Sequence, residues 1–135
     1  MNQTAIAAVG LYAALNAFIL IWLGSATSRL RTRHRVMIGD GGVEHLQRVM
    51  RGHANAVENI PITIVLLVIA ALLSAPTVAI HIVGAVFTAG RAVHAWHFIQ
   101  HSAPQWQRFA GYGLGAVATG VAAIGVLGHA LVILF

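Results

Sequence analysis

The stretch Arg48-Val-Met-Arg51-Gly-His53-Ala-Asn55-Ala-Val-Glu58-Asn-Ile60-Pro61-Ile-Thr-Ile-Val-Leu-Leu-Val-Ile-Ala-Ala-Leu-Leu73 holds the least obvious span of this chain, and its reading decides the fold. Its apolar part, Ile60 to Leu73, is fourteen residues. At about 1.5 Å per residue that falls short of a hydrocarbon core of about 30 Å. Span length is reached only if the polar turns before Pro61 belong to the same helix. Pro61 then kinks or loosens that helix locally rather than starting it.

The sequence around this stretch supports a membrane reading. Of 135 residues, 59% are hydrophobic and 8% charged, against about 25% charged in a soluble domain. So few charged side chains cannot cover a soluble surface, and the high apolar content excludes disorder. Other apolar runs extend from Ala5 to Leu23, from about Val78 to Trp96 and from Phe109 to Phe135. The expected fold is all-α, one domain over residues 1–135, an integral membrane four-helix bundle. Its helices are expected at about residues 5–28, 45–73, 77–100 and 106–134. The opening MNQT carries no positive charge, so the first run reads as a span rather than a signal peptide.

The net charge of +5 comes entirely from arginine. Six of the eight arginines, Arg29, Arg31, Arg33, Arg35, Arg48 and Arg51, fall within residues 24–51. They flank apolar spans with no soluble basic module around them, so they point to membrane topology and not to nucleic acid. The positive-inside rule puts the 1–2 and 3–4 loops in the cytoplasm and both termini outside. The 2–3 connection, Ser74-Ala75-Pro76-Thr77, is a short uncharged turn, and Ile38–Gly42 is a turn in the first loop.

Polar residues at membrane depth are costly, and by default they raise a site hypothesis. Arg48, Arg51, Asn55 and Glu58 stand at i, i+3, i+7 and i+10, an arc of about 80° on a helix. Arg91, His94, Phe98 and His101 repeat that spacing, and Arg108, Tyr112, Gly115 and Thr119 form a third stripe. Converging at the cytoplasmic end, they would line one pocket with guanidinium, amide, carboxylate, imidazole and phenol groups. Plainer readings stand beside this one. Arg29–Arg35 set topology; Arg51 and Glu58 form a structural ion pair; Asn55 joins helices. Asn16, His81 and His129 are packing residues, and the glycines of the last helix allow close approach. Trp22, Trp96 and Trp106 fit interfacial belts.

The chain has no Cys. This excludes a disulfide scaffold, a Cys-ligated metal and a Cys nucleophile, so any thiol must arrive with a ligand. Eight His residues raise a haem or metal reading, with His94, His97 and His101 on roughly one side of the third helix. There is no HExxH motif and few acids, so no metal is expected.

The segment Arg51-Gly-His53-Ala-Asn55-Ala-Val-Glu58-Asn-Ile-Pro61 resembles the R-x-x-x-N-x-x-E-x-x-P signature of the MAPEG family, the membrane-associated proteins of eicosanoid and glutathione metabolism. Arg91-Ala-Val-His94 resembles the family's third-helix motif, and Arg108 with Tyr112 the opening of its fourth helix. Arg29 and Asp40 resemble its first-helix arginine and loop aspartate, and GDGG is similar to bacterial members.

The resemblance implies a homotrimer, in a bacterial inner membrane, with glutathione as co-substrate between neighbouring subunits. It implies that Arg51, Asn55 and Glu58 hold the tripeptide, that Arg29 neutralises a carboxylate, and that His94 lines the pocket. Arg108 would face the thiol, with Tyr112 assisting. Asp40, His53, Arg48 and Arg91 are further candidates, Asp40 as a turn residue or as an acid/base near the thiol. The implied activity is transfer of glutathione thiolate to lipophilic electrophiles entering from the membrane lipid, with hydroperoxide reduction as a related reaction. The other reading on the same fold is a non-catalytic lipid-binding or scaffold protein. Phe98 stands where several members have Tyr, Ala54 where some have Arg, and Phe109 where the prostaglandin-synthase branch has Ser. These departures weigh against prostaglandin E synthase activity.

Overall fold

The structure is a computed structural model that describes residues 3–135. Met1 and Asn2, half of the charge-free opening segment, lie outside the described residues. The chain forms four helices: α1 (Gln3–His34), α2 (Glu44–Leu72), α3 (Thr77–Ile99) and α4 (Gln105–Leu134). All four are long and apolar enough to cross a membrane, and no strand forms among the described residues. The fold is therefore the expected all-α four-helix membrane bundle.

α2 runs unbroken through Pro61. The polar turns from Glu44 to Asn59 and the apolar run after them are one helix, as its length as a span requires. The missing N–H of Pro61 deprives only the Val57 carbonyl of its helical partner. Glu44 in the first turn complements the helix dipole.

α1 continues well past residue 28, through Arg29 to His34. Arginine is a good helix former, and basic side chains suit a helix C-terminus. The Thr27 and Thr32 hydroxyls donate back to the Leu23 and Ser28 carbonyls. The helix stops where Arg35 turns left-handed at φ 58°. Ser74, at φ 67°, closes α2 in the same way, with Ala75 N–H donating to the Ala70 carbonyl. Pro76 and Pro104, at φ −57° and −65°, immediately precede α3 and α4.

α2 and α3 form the central pair, with α1 on one side and α4 on the other; among the described residues the α1 and α4 backbones do not pack against each other. One apolar cluster joins Leu23, Ile60, Phe87 and Ala118 from all four helices. The other, Val9, Leu67, Ala71 and Ile80, draws only on α1, α2 and α3. Lipid is as apolar as these side chains, so fine packing and polar contacts must hold the helices together. Gly111 shows how closely they approach: a Cβ there would lie 2.5 Å from the His94 backbone nitrogen. α2 and α4 are tied where the Thr63 and Thr119 hydroxyls lie 2.7 Å apart. Asn16 donates to the Tyr12 carbonyl at 2.9 Å and to Thr88 Oγ1 at 2.8 Å, the packing role expected of it. His81 Nδ1 lies 3.0 Å from the Tyr12 hydroxyl.

Candidate functional site

Near the Arg-rich end, an open cleft of about 560 Å³ lies among α2, α3 and α4. Arg51, Asn55, Glu58 and Asn59 line it from α2, His94 and Phe98 from α3, and Arg108, Phe109 and Tyr112 from α4. The volume falls within the range of small-molecule sites. The three polar stripes thus meet, but each is split between the cleft and the interior.

On α2, Arg51 Nη1 lies 3.7 Å from Glu58 Oε1, with the side chains 64% and 56% exposed. A pair this exposed contributes about 0–1 kcal/mol and exchanges partners easily. Arg48 lies outside the cleft. Its guanidinium donates to the His97 carbonyl at 3.1 Å and lies over the Phe98 ring, 5.8 Å from its centroid. It therefore ties the start of α2 to the end of α3. His53 is on the other side of α2, where a Cβ on Gly24 of α1 would lie 3.8 Å from its Nε2.

On α3, His94 lines the cleft, its ring 4.9 Å from that of Phe98. Arg91, one turn earlier, is 3% exposed and lies behind the cleft. Its Nη1 donates to Asn55 Oδ1 at 2.9 Å and its Nη2 to the Gly111 carbonyl at 3.3 Å. No carboxylate pairs with it among the described residues. Two neutral oxygens thus hold a buried cation directly beneath a cleft residue. The amide of Asn55 is fixed by that bond, which leaves its Nδ2 as the donor available to the cleft. Gly115, without a side chain, makes room for the guanidinium: a Cβ would be 3.1 Å from Arg91 Nε.

On α4, Arg108 stands over the Phe98 ring at 5.8 Å. Tyr112 follows one turn later at the cleft wall, and Thr119 lies deeper, in the contact with Thr63. Phe98 lines the cleft as a member of the third-helix stripe, and Asn59 and Phe109 belong to the lining although the site reading left them out. Asn59 continues the α2 stripe at i+4 from Asn55, and its amide donates to the Asn55 carbonyl at 2.8 Å. That spacing was a signal available in the sequence.

Arg29 and Asp40 do not reach this cleft within one chain. Arg29 is exposed on α1. Asp40 shapes the first loop, accepting from the Gly42 N–H at 2.9 Å and from Gln47 Nε2 at 3.1 Å. The three histidines expected on one side of the third helix also part company, since His101 lies beyond the end of α3 at Ile99. His97 packs edge-on against Phe98, and His101 lies against His45 with ring centroids 5.2 Å apart. Among the described residues no three His, Asp or Glu side chains gather into a metal-binding group.

A second hollow, of about 300 Å³, lies toward the opposite end between α2, α3 and α4. Leu67, Ile80, Val83 and Val121 line it, with His129 at its edge.

Comparison with known proteins gives a concordant picture. The chain is 44% identical to the inner membrane protein YecN of Escherichia coli over 98 residues, 73% of this chain and 74% of that one. It is 29% identical to the uncharacterized protein sll1147 of Synechocystis over 128 residues, 94% of this chain and 90% of that one. The profile of the MAPEG family matches residues 9–128. That match reaches into all four spans and takes in every cleft residue, and the chain belongs to the MAPEG family.

Proposed function

We propose that the cleft binds glutathione and that the chain transfers its thiolate to lipophilic electrophiles dissolved in the membrane. The observation that carries this reading is the charge set on one cleft: Arg51 and Arg108 from different helices, with Glu58 and Asn55 between. Glutathione carries two carboxylates and an ammonium. Arginine grips a carboxylate bidentately and stays charged. Glu58 suits the ammonium, and the exposed Arg51–Glu58 pair would open to take both at little cost. The Asn55 amide N–H, held by Arg91, donates to the peptide, and His94 forms the cleft floor.

The nucleophile that a Cys-free chain lacks comes with this ligand. Arg108 beside the sulfur favours thiolate over thiol. The thiol proton leaves to water, the sulfur lone pair forms a bond to the electrophilic carbon, and the leaving group departs with its electron pair. Tyr112 stands where its hydroxyl can assist that departure. The cleft is open and carries the rings of Phe98 and Phe109 in its lining; in this reading the acceptor enters sideways from the lipid.

A homotrimer would complete the site. Arg29 and Asp40 do not line the cleft of their own chain, so in this reading a neighbouring copy supplies them. The name of the Escherichia coli relative supports a place in the bacterial inner membrane. The arginine bias puts the cleft end in the cytoplasm.

One observation favours a second reading, a non-catalytic lipid-binding protein: the apolar hollow of about 300 Å³ at the far end. Glutathione conjugation to a generic aromatic electrophile by detergent-purified protein tests the choice. The transferase reading expects activity in the wild type and a steep fall in Arg108→Ala. Glutathione-independent lipid binding without conjugation would favour the second reading.

A further inference from the structure

The α1–α2 loop, outside the cleft, combines unpaired positive charge with exposed apolar side chains. Met37 and Ile38 are 90% and 92% exposed. The loop backbone that presents them is held by its own hydrogen bonds. Val36 N–H donates to the Arg31 carbonyl at 3.0 Å, and Val43 N–H to the Asp40 carbonyl at 3.0 Å. Arg31 Nη1 donates to the Met37 carbonyl at 3.3 Å. Gly39, Gly41 and Gly42 are all left-handed, with φ between 59° and 74°. The apolar pair is therefore displayed by a shaped loop.

Around it, Arg29, Arg33 and Arg35 are exposed and pair with no carboxylate among the described residues. The chain has three acidic residues, and of the two near this loop Asp40 is used in its turn. Depth sets what these groups meet. The 32 residues of α1 extend about 48 Å at 1.5 Å each, against about 40–45 Å for a bilayer with its headgroups. With the run from Ala5 in the hydrocarbon, α1 leaves it near Gly24; Arg29 then stands at the water edge of the headgroups and Arg33 and Arg35 within about 10 Å of that edge, about one Debye length.

We propose that this loop is a contact surface for anionic lipid headgroups. Arg33 and Arg35 are drawn to lipid phosphates of the adjacent leaflet, and the loop folds down so that Met37 and Ile38 rest against the headgroups. Uncompensated cations beside apolar side chains are the composition that such a surface selects. The partner is the bilayer because the unpaired cations stand within about a Debye length of the headgroups and the exposed apolar pair shares their loop. This surface does not depend on the cleft's ligand, since none of these four residues lines it.

The chain has no Cys, so Ile38→Cys provides a single thiol for a spin label. The labelled full chain is reconstituted in phosphatidylcholine vesicles with or without about one-third phosphatidylglycerol. Collision with oxygen and with a water-soluble nickel chelate reports depth. The proposal expects the label to be shielded from nickel in the anionic vesicles and exposed in the neutral ones. Arg33→Gln with Arg35→Gln abolishes that difference. In native mass spectrometry of the unlabelled chain, phosphatidylglycerol affinity falls about five-fold per arginine removed, or about thirty-fold for both. Equal nickel access in both vesicles overturns the proposal. Shielding that follows protein density instead of lipid charge also overturns it, and assigns the loop to a second copy of the chain.

Discussion

Replacing Asn55 separates what it does for the fold from what it does in the cleft. Arg91 is 3% exposed and its charge rests on two oxygens, Asn55 Oδ1 at 2.9 Å and the Gly111 carbonyl at 3.3 Å. A hydrogen bond to a charged group contributes about 1.5–3 kcal/mol, and a buried donor left unpaired adds a desolvation penalty. The Asn55 bond is the shorter of the two, so Asn55→Ala is expected to destabilise the bundle by about 2–3 kcal/mol. Asn55→Asp keeps an oxygen in place and adds an opposite charge, so stability stays within about 1 kcal/mol of wild type. The same carboxylate faces the cleft and replaces the Nδ2 donor. Glutathione affinity is therefore expected to fall about ten-fold or more in a protein that remains folded. The assay is reversible unfolding in detergent, followed by far-UV circular dichroism, beside equilibrium binding of glutathione. An Asn55→Ala variant within about 0.5 kcal/mol of wild type would refute the role of this bond. Asp and Ala variants equally destabilised would show that the acceptor is not what holds Arg91.

Four further outcomes follow from the geometry. Gly111→Ala places a Cβ 2.5 Å from the His94 backbone nitrogen; it should cost about 1–3 kcal/mol in the same unfolding assay. Gly113→Ala meets nothing within 4 Å and should be neutral or stabilising by up to about 1 kcal/mol. The Thr63 and Thr119 hydroxyls lie 2.7 Å apart; a double-mutant cycle with valine at each position should give a coupling of about 0.6 kcal/mol. In Arg108→Ala the thiol of bound glutathione loses a neighbouring cation. Its thiolate absorbance and the pH–rate profile should both move to higher pH, with the fold intact.

The spans were legible because apolar length and the arginine distribution are one-dimensional signals. The continuity of α2 through Pro61 followed from length alone. The end of α1 was set by local chemistry instead: helix-compatible arginines continued it until Arg35 turned left-handed at φ 58°. Helical spacing identified the polar faces but not what each face meets. Arg48 and Arg91 share stripes with cleft residues, yet both turn toward neighbouring helices. A helical wheel cannot register that difference, because it depends on how α2, α3 and α4 pack against one another. Asn59 was missed although it sits at i+4 from Asn55 in the same polar stripe. Arg29 and Asp40 came to notice only by resemblance, and no spacing within the chain links them to the cleft.

The central claim is that Arg51, Glu58 and their neighbours form a glutathione site. Calorimetric titration of the detergent-purified chain with glutathione tests it most directly, with Arg51→Gln, Glu58→Gln and Gly113→Ala as companions. The expected result is saturable binding, weakened about ten-fold or more by loss of either charge, since a charged hydrogen bond contributes about 1.5–3 kcal/mol, and unchanged by Gly113→Ala. Absence of binding, or binding indifferent to both charges, would contradict it and leave the polar face of α2 with a structural role alone.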